Sequence, residues 1–143
     1  MKKTVLFLAI LLSYQIVAQV ITPKASPSSK VQQKVGLADI QIEYSRPGVK
    51  GRAIFGELIP FDQIWRFGAN ENTKLTCSEA LIFGQDTLSA GTYALFVKPG
   101  QATWEIYFYT DYTNWGLPAQ WDESKVALKI QAAAIKTQDL QEN

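Results

Sequence analysis

Gly91-Thr92-Tyr93-Ala94-Leu95-Phe96-Val97, closed by Pro99-Gly100 and followed by Trp104-Glu105-Ile106-Tyr107-Phe108-Tyr109, is the stretch that decides the fold. The first run is apolar almost throughout and stops at Pro99-Gly100. In the second, Trp104, Ile106 and Phe108 alternate with Glu105, Tyr107 and Tyr109. A period of two sends successive side chains to opposite faces of a strand. If Trp104, Ile106 and Phe108 face the core, Tyr107 and Tyr109 face solvent or a groove, where aromatic rings can stack on sugars. The alternative is a sheet packed on both sides, or cross-strand aromatic pairs.

Working outward, the same period recurs. Val31, Gln33 and Val35 share one face; Ile40, Ile42 and Tyr44 alternate with Gln41 and Glu43; Thr73, Leu75 and Cys77 repeat the pattern. Leu81–Phe83 and Thr87-Leu88 flank a Gly84-Gln85-Asp86 turn. Val126, Leu128 and Ile130 alternate with Ala127, Lys129 and Gln131. Strands are therefore expected at 30–36, 38–45, 73–78, 81–88, 91–97, 103–109 and 125–135. Turn signals recur at roughly 8–12 residues, which predicts an all-β fold: an antiparallel sandwich or a jelly-roll-like barrel. One stretch breaks the period. Ile54 and Leu58 stand at i and i+4 and Pro60 follows, so one short helical turn is expected near 53–58.

The N-terminus reads as an export signal. Lys2 and Lys3 precede an apolar run from Val5 to Leu12, which Ser13-Tyr14-Gln15 interrupts too early for a membrane span. Cleavage after Ala18 assigns 1–18 to a signal peptide and 19–29 to a Ser/Pro-rich linker. The β domain then covers 30–136, and 137–143 is a polar tail. The expected location is periplasmic or extracellular, with no membrane span once the signal is removed.

Removal of Lys2 and Lys3 turns the formal net charge from +1 to about −1. With no basic stripe, nucleic acid is not an expected partner. Cys77 is the single cysteine and reads as a small buried apolar residue. There is no histidine, which excludes Ser-His-Asp and Cys-His mechanisms and histidine-ligated metals. No phosphate-loop motif occurs, and neither a cofactor nor a metal is implied.

Polarity concentrates in two short motifs on either side of the expected helical turn. The first, Glu43-Tyr44-Ser45-Arg46-Pro47-Gly48-Val49-Lys50-Gly51-Arg52, holds three cations and an acid. The second, Trp65-Arg66-Phe67-Gly68-Ala69-Asn70-Glu71, holds a cation, an amide and an acid beside a tryptophan. Long ordered connections on a β scaffold tend to carry binding sites. Glu43, Arg46, Lys50, Arg52, Trp65, Arg66, Asn70 and Glu71 are the candidate ligand-binding residues and are expected to converge. Arginine forks suit carboxylate, phosphate or sulfate, and a tryptophan beside a cation suits stacking. The expected ligand is a polar or anionic small molecule or a glycan. The alternative is a structural or protein-interaction module, whose arginines pin loops through Glu43 or Glu71 as a buried ionic network and whose Trp65 fills the core. A third reading uses Glu43 and Glu71 as the paired carboxylates of a glycan-active hydrolase.

Four linked motifs resemble a known family. These are Tyr44-Ser45-Arg46-Pro47 with Lys50-Gly51-Arg52; Ile54-Phe55-Gly56 with Leu58 and Pro60; Trp65-Arg66 with Gly68-Ala69-Asn70-Glu71; and Ala90-Gly91-Thr92-Tyr93-Ala94-Leu95-Phe96. Trp104–Phe108 and Asn114-Trp115-Gly116 fit as well. Together they are similar to the secreted bacterial family catalogued as domain of unknown function twenty-nine eleven, over roughly residues 26–136. The resemblance implies a β-rich secreted domain and no particular activity. Members of the family usually continue with further strands, whereas Gln138–Asn143 has no strand pattern. Missing C-terminal strands and strand-mediated self-association are therefore expected.

Overall fold

The computed structural model describes residues 22–137, and the signal-peptide and C-terminal tail expectations lie largely outside them. Eight strands follow in chain order: β1 Ser28–Val35, β2 Ala38–Ser45, β3 Lys74–Cys77, β4 Leu81–Phe83, β5 Asp86–Leu88, β6 Gly91–Pro99, β7 Thr103–Tyr109 and β8 Val126–Ala133. Six form one antiparallel sheet in the order β1-β2-β3-β6-β7-β8, and β4-β5 is a separate hairpin. The all-β expectation holds. The sheet does not close, so the layered form of it applies and the barrel does not. Among the described residues, β1 and β8 are its edge strands.

Among the described residues the helical turn lies at Glu123–Lys125, capped by the Asp122 side chain on the Ser124 N–H. The expected turn near 53–58 takes another form. Ile59 N–H donates to Ile54 O at 2.8 Å and Gly56 N–H to Ile59 O at 2.8 Å, closing a loop through Gly56 at φ +90°. Helical spacing of Ile54 and Leu58 thus arises from a wide turn. A Cβ on Gly56 would stand 2.8 Å from the Phe61 ring, so only glycine fits there.

The sheet is packed on both faces. On one, Leu75, Cys77, Tyr93, Leu95 and Phe108 are buried, and β4-β5 lays Leu81, Phe83 and Leu88 across them. Phe83 meets Phe108 at 5.2 Å between ring centroids. On the other, Ala94, Phe96, Tyr107 and Tyr109 are covered by Ile64, Trp121 and Val126. The Trp121 ring packs on Phe96, Tyr107 and Tyr109 at 5.4, 5.4 and 4.8 Å. Tyr107 and Tyr109 therefore do not form an open stacking surface. The period-two reading of β7 is right, but the 110–125 loop covers its second face as well.

A mismatch in strand length positions the polar motifs. β3 has four residues and β6 has nine, and β3 pairs only with Gly91–Ala94. The rest of β6 would leave backbone groups orphaned inside the sheet, which is costly. The β2–β3 connection fills the gap. Thr73 O accepts from Leu95 N–H at 2.8 Å, Trp65 and Val97 exchange hydrogen bonds at 2.7 and 2.9 Å, and Asp62 N–H donates to Pro99 O at 2.8 Å. The connection is thereby held as a pseudo-strand that places the second motif against the sheet, while the first motif runs on from the end of β2.

Candidate functional site

A four-ring cluster anchors the connection. Phe55 packs on Trp104 at 4.8 Å and on Trp65 at 6.2 Å; Phe67 packs on Trp65 at 6.0 Å and on Trp104 at 6.4 Å. Edge-to-face contacts of this kind contribute about 0.5–1.5 kcal/mol each beyond area burial. Over the cluster lies a cavity of about 720 Å³. Lys50 and Arg52 of the first motif and Trp65 and Arg66 of the second line it. Its apolar wall is Val49, Ile54, Phe55, Leu58, Ile59 and Leu117. No acid is among its lining residues.

The cationic side chains are held in different ways. Arg52 folds back on its own turn, donating Nε–H to Val49 O at 2.9 Å and Nη2–H to Gly48 O at 2.7 Å. A guanidinium has five N–H donors, so these bonds fix its position without exhausting it. Arg66 donates Nη1–H to Asn70 O at 3.3 Å and lies under the Trp115 ring, 5.2 Å from its centroid. Gly116 lets the 110–121 loop come this close, since a Cβ there would be 3.1 Å from Arg66 Nη1 and its φ is +80°. Three non-glycine residues of the motifs, Lys50, Phe67 and Asn70, have φ of 52°, 53° and 58°. Such left-handed backbone is a local cost that surrounding structure must offset, and it clusters at functional sites.

The remaining candidates are placed elsewhere. Asn70 is a brace: its Nδ2 donates to Ser26 O at 3.0 Å and to Ser45 Oγ at 3.3 Å, tying the N-terminal segment to the end of β2. Arg46 is exposed, and its backbone N–H donates to Pro27 O at 2.9 Å. Glu43 and Glu71 line a different hollow, of about 380 Å³, with Lys30 and Lys74. Glu43 accepts from Gln41 Nε2 at 2.9 Å and pairs with Lys30 at 3.7 Å. Glu71 pairs with Lys24 at 3.2 Å; a backbone hydrogen bond first, and then Lys24, hold its carboxyl below the ordinary carboxylate range. A general acid works from a raised value, the direction opposite to that of Glu71. Asn72 also lines this hollow; it is 3% exposed, and neither of its amide atoms has a hydrogen-bond partner.

The eight candidates are thus divided. Lys50, Arg52, Trp65 and Arg66 come together at one cavity; Glu43 and Glu71 meet at another; Asn70 and Arg46 belong to the connections between them. Trp65 does both jobs weighed for it, since it packs in the ring cluster and lines the cavity. Sequence reasoning missed the apolar wall. Ile54 and Leu58 share one face in the sequence, but Leu117 and the Trp115 of the Asn114-Trp115-Gly116 motif come from a distant loop without strand or helix periodicity. Among the described residues no group of three or more His, Cys, Asp or Glu could hold a metal ion. Nor is any helix long and apolar enough to cross a membrane.

No curated protein and no solved structure matches the chain. Residues 26–143 match the family described as "Protein of unknown function (DUF2911)", and with that span, which contains both polar motifs and every strand, the chain belongs to this family.

Proposed function

We propose that the protein is a non-catalytic binding module for a small organic anion, held in the cavity between the two polar motifs. The observation that carries this reading is the make-up of that lining: Arg52 and Arg66 contribute guanidinium groups and no acid is among the lining residues. The hollow around Glu43 and Glu71 offers a contrast, because two lysines and two acids balance there. A low-dielectric wall beside guanidinium groups strengthens attraction for an anion. The cavity also falls in the range of roughly 300–1,000 Å³ typical of small-ligand sites. Export to the periplasm or beyond, as the N-terminus suggests, is part of the proposal. A neutral glycan is less well matched, since Tyr107 and Tyr109 are buried under Trp121.

A second reading is favoured by a specific observation. Arg52, Asn70 and Glu71 all bind neighbouring backbone or side chains, as braces of a structural module would. Calorimetric titration of the mature protein with short and long carboxylates, inorganic phosphate and neutral sugars separates the two. Binding of an anion, weakened at least tenfold by Arg66→Gln, supports the module for anions. Absence of heat with every anion leaves the structural reading.

A further inference from the structure

Besides its arginine lining, the cavity has a feature that a site for phosphate or acetate does not need. Its apolar wall continues out to the surface: Phe55, Leu58 and Leu117 are 44%, 54% and 49% exposed. Large apolar side chains held half in water around one opening mark a surface that something apolar covers. From the two lining arginines and this wall together, we infer that the ligand is a single-chain anionic amphiphile. Its charged head is held by Arg52 and Arg66, and its alkyl body lies along Phe55, Leu58 and Leu117. The inference rests on the anion-binding reading above and names the class of anion.

Two comparisons within the molecule support it. A second apolar hollow, of about 660 Å³, lies where the β1–β2 turn approaches β4 and includes the exposed Leu37 and Ile82. Its only charged lining residue is Glu79, which repels an anionic head. The hollow at Glu43 and Glu71 has charge of both signs and no comparable apolar wall. Among these three hollows, the one between the motifs combines two lining arginines and no lining acid with an extended apolar wall. The arginines are also pre-positioned: Arg52 by its own turn, Arg66 by Asn70 O and the Trp115 ring. Little side-chain freedom then remains to be lost when a head group binds.

Calorimetric titration with dodecanoate, decanoate and octanoate, each below its critical micelle concentration, tests the inference. Dodecyl phosphate, dodecyl maltoside, acetate and inorganic phosphate complete the panel. Affinity is expected to fall about three- to fourfold for each methylene removed. Dodecyl phosphate should bind comparably to dodecanoate, and dodecyl maltoside at least tenfold more weakly. Leu58→Glu, at an exposed position, should abolish dodecanoate binding without shifting Tm by more than about 2 °C. Ile82→Glu, in the other apolar hollow, should leave binding unchanged.

Acetate or phosphate binding as tightly as dodecanoate would overturn the amphiphile while leaving the anion module standing. Absence of binding by every anion would remove both. Equal affinity for dodecyl maltoside, or loss of binding in Ile82→Glu with retention in Leu58→Glu, would also overturn the inference. So would pelleting with anionic phosphatidylglycerol vesicles when no monomeric anion binds, because the occupant would then be a membrane surface.

Discussion

Replacing Trp121 by alanine tests the two-faced packing of the sheet. Trp121 comes from a loop without regular structure, yet its ring meets Phe96, Tyr107 and Tyr109 at 5.4, 5.4 and 4.8 Å. Nε1–H also donates to Glu123 Oε1 at 2.8 Å, in an exposed bond that adds little. A fully buried Trp→Ala change costs about 3–5 kcal/mol. Trp121 is half-buried, so the area term is smaller, while three ring contacts at about 0.5–1.5 kcal/mol each are lost. These considerations give about 2–3 kcal/mol, or roughly 8–12 °C in Tm for a domain of this length. Equilibrium urea unfolding, followed by far-ultraviolet circular dichroism and by fluorescence, measures the loss, with an unchanged slope showing that the transition stays comparable. Trp121→Phe should recover at least half of it. A loss below about 0.5 kcal/mol would refute the reasoning, because the buried tyrosines would then be stable without their cover.

Further predictions follow from single sites. Gly56→Ala should destabilise by about 1–3 kcal/mol in the same unfolding assay, since φ of +90° and the Phe61 ring at 2.8 Å both oppose a Cβ. Asn72→Leu should raise stability by about 1 kcal/mol, because it removes a buried amide without partners; a loss above 1 kcal/mol would mean that the amide is satisfied in solution. Tyr107 donates to Glu105 Oε2 at 2.6 Å, and this bond, ahead of Lys129 and Lys98, holds the Glu105 carboxyl below its ordinary value. Burial first, and then the same bond, raise the Tyr107 hydroxyl. The Glu105 contribution is therefore present above about pH 4.3 and is lost as pH falls through the lowered value; the Tyr107 contribution is lost as pH rises above about 10. Tyr107→Phe should flatten both limbs of the stability–pH curve, and an unchanged acid limb would show that the hydrogen bond does not control Glu105.

Much of the fold was legible because β-strands declare themselves locally. β2 and β7 begin and end where alternation and turns place them, and β6 runs two residues further, to Pro99. What alternation cannot say is what covers each face. Tyr107 and Tyr109 look like an outer face in β7, and only the distant Trp121 makes it a second core. The site was half legible for a similar reason. Charge density marked the β2–β3 connection, but contacts across the fold decide how its residues are divided. β3 is too short for β6, so Asp62, Trp65 and Thr73 complete the sheet and turn Arg66 toward the cavity while Glu71 faces Lys24. Ile54 and Leu58 were read as helical because i and i+4 spacing is shared by helices and by the wide turn through Gly56.

The central claim is that Arg52 and Arg66, with the apolar wall beside them, form one anion-binding site. Nuclear magnetic resonance of the protein titrated with decanoate tests it most directly, through the arginine Nε–H signals and the leucine methyl signals. The account predicts saturable shifts at Arg52, Arg66, Leu58 and Leu117 with a common affinity, and none at Leu37. Shifts centred on Leu37 and Leu81, or leucine shifts without a response from either arginine, would contradict it.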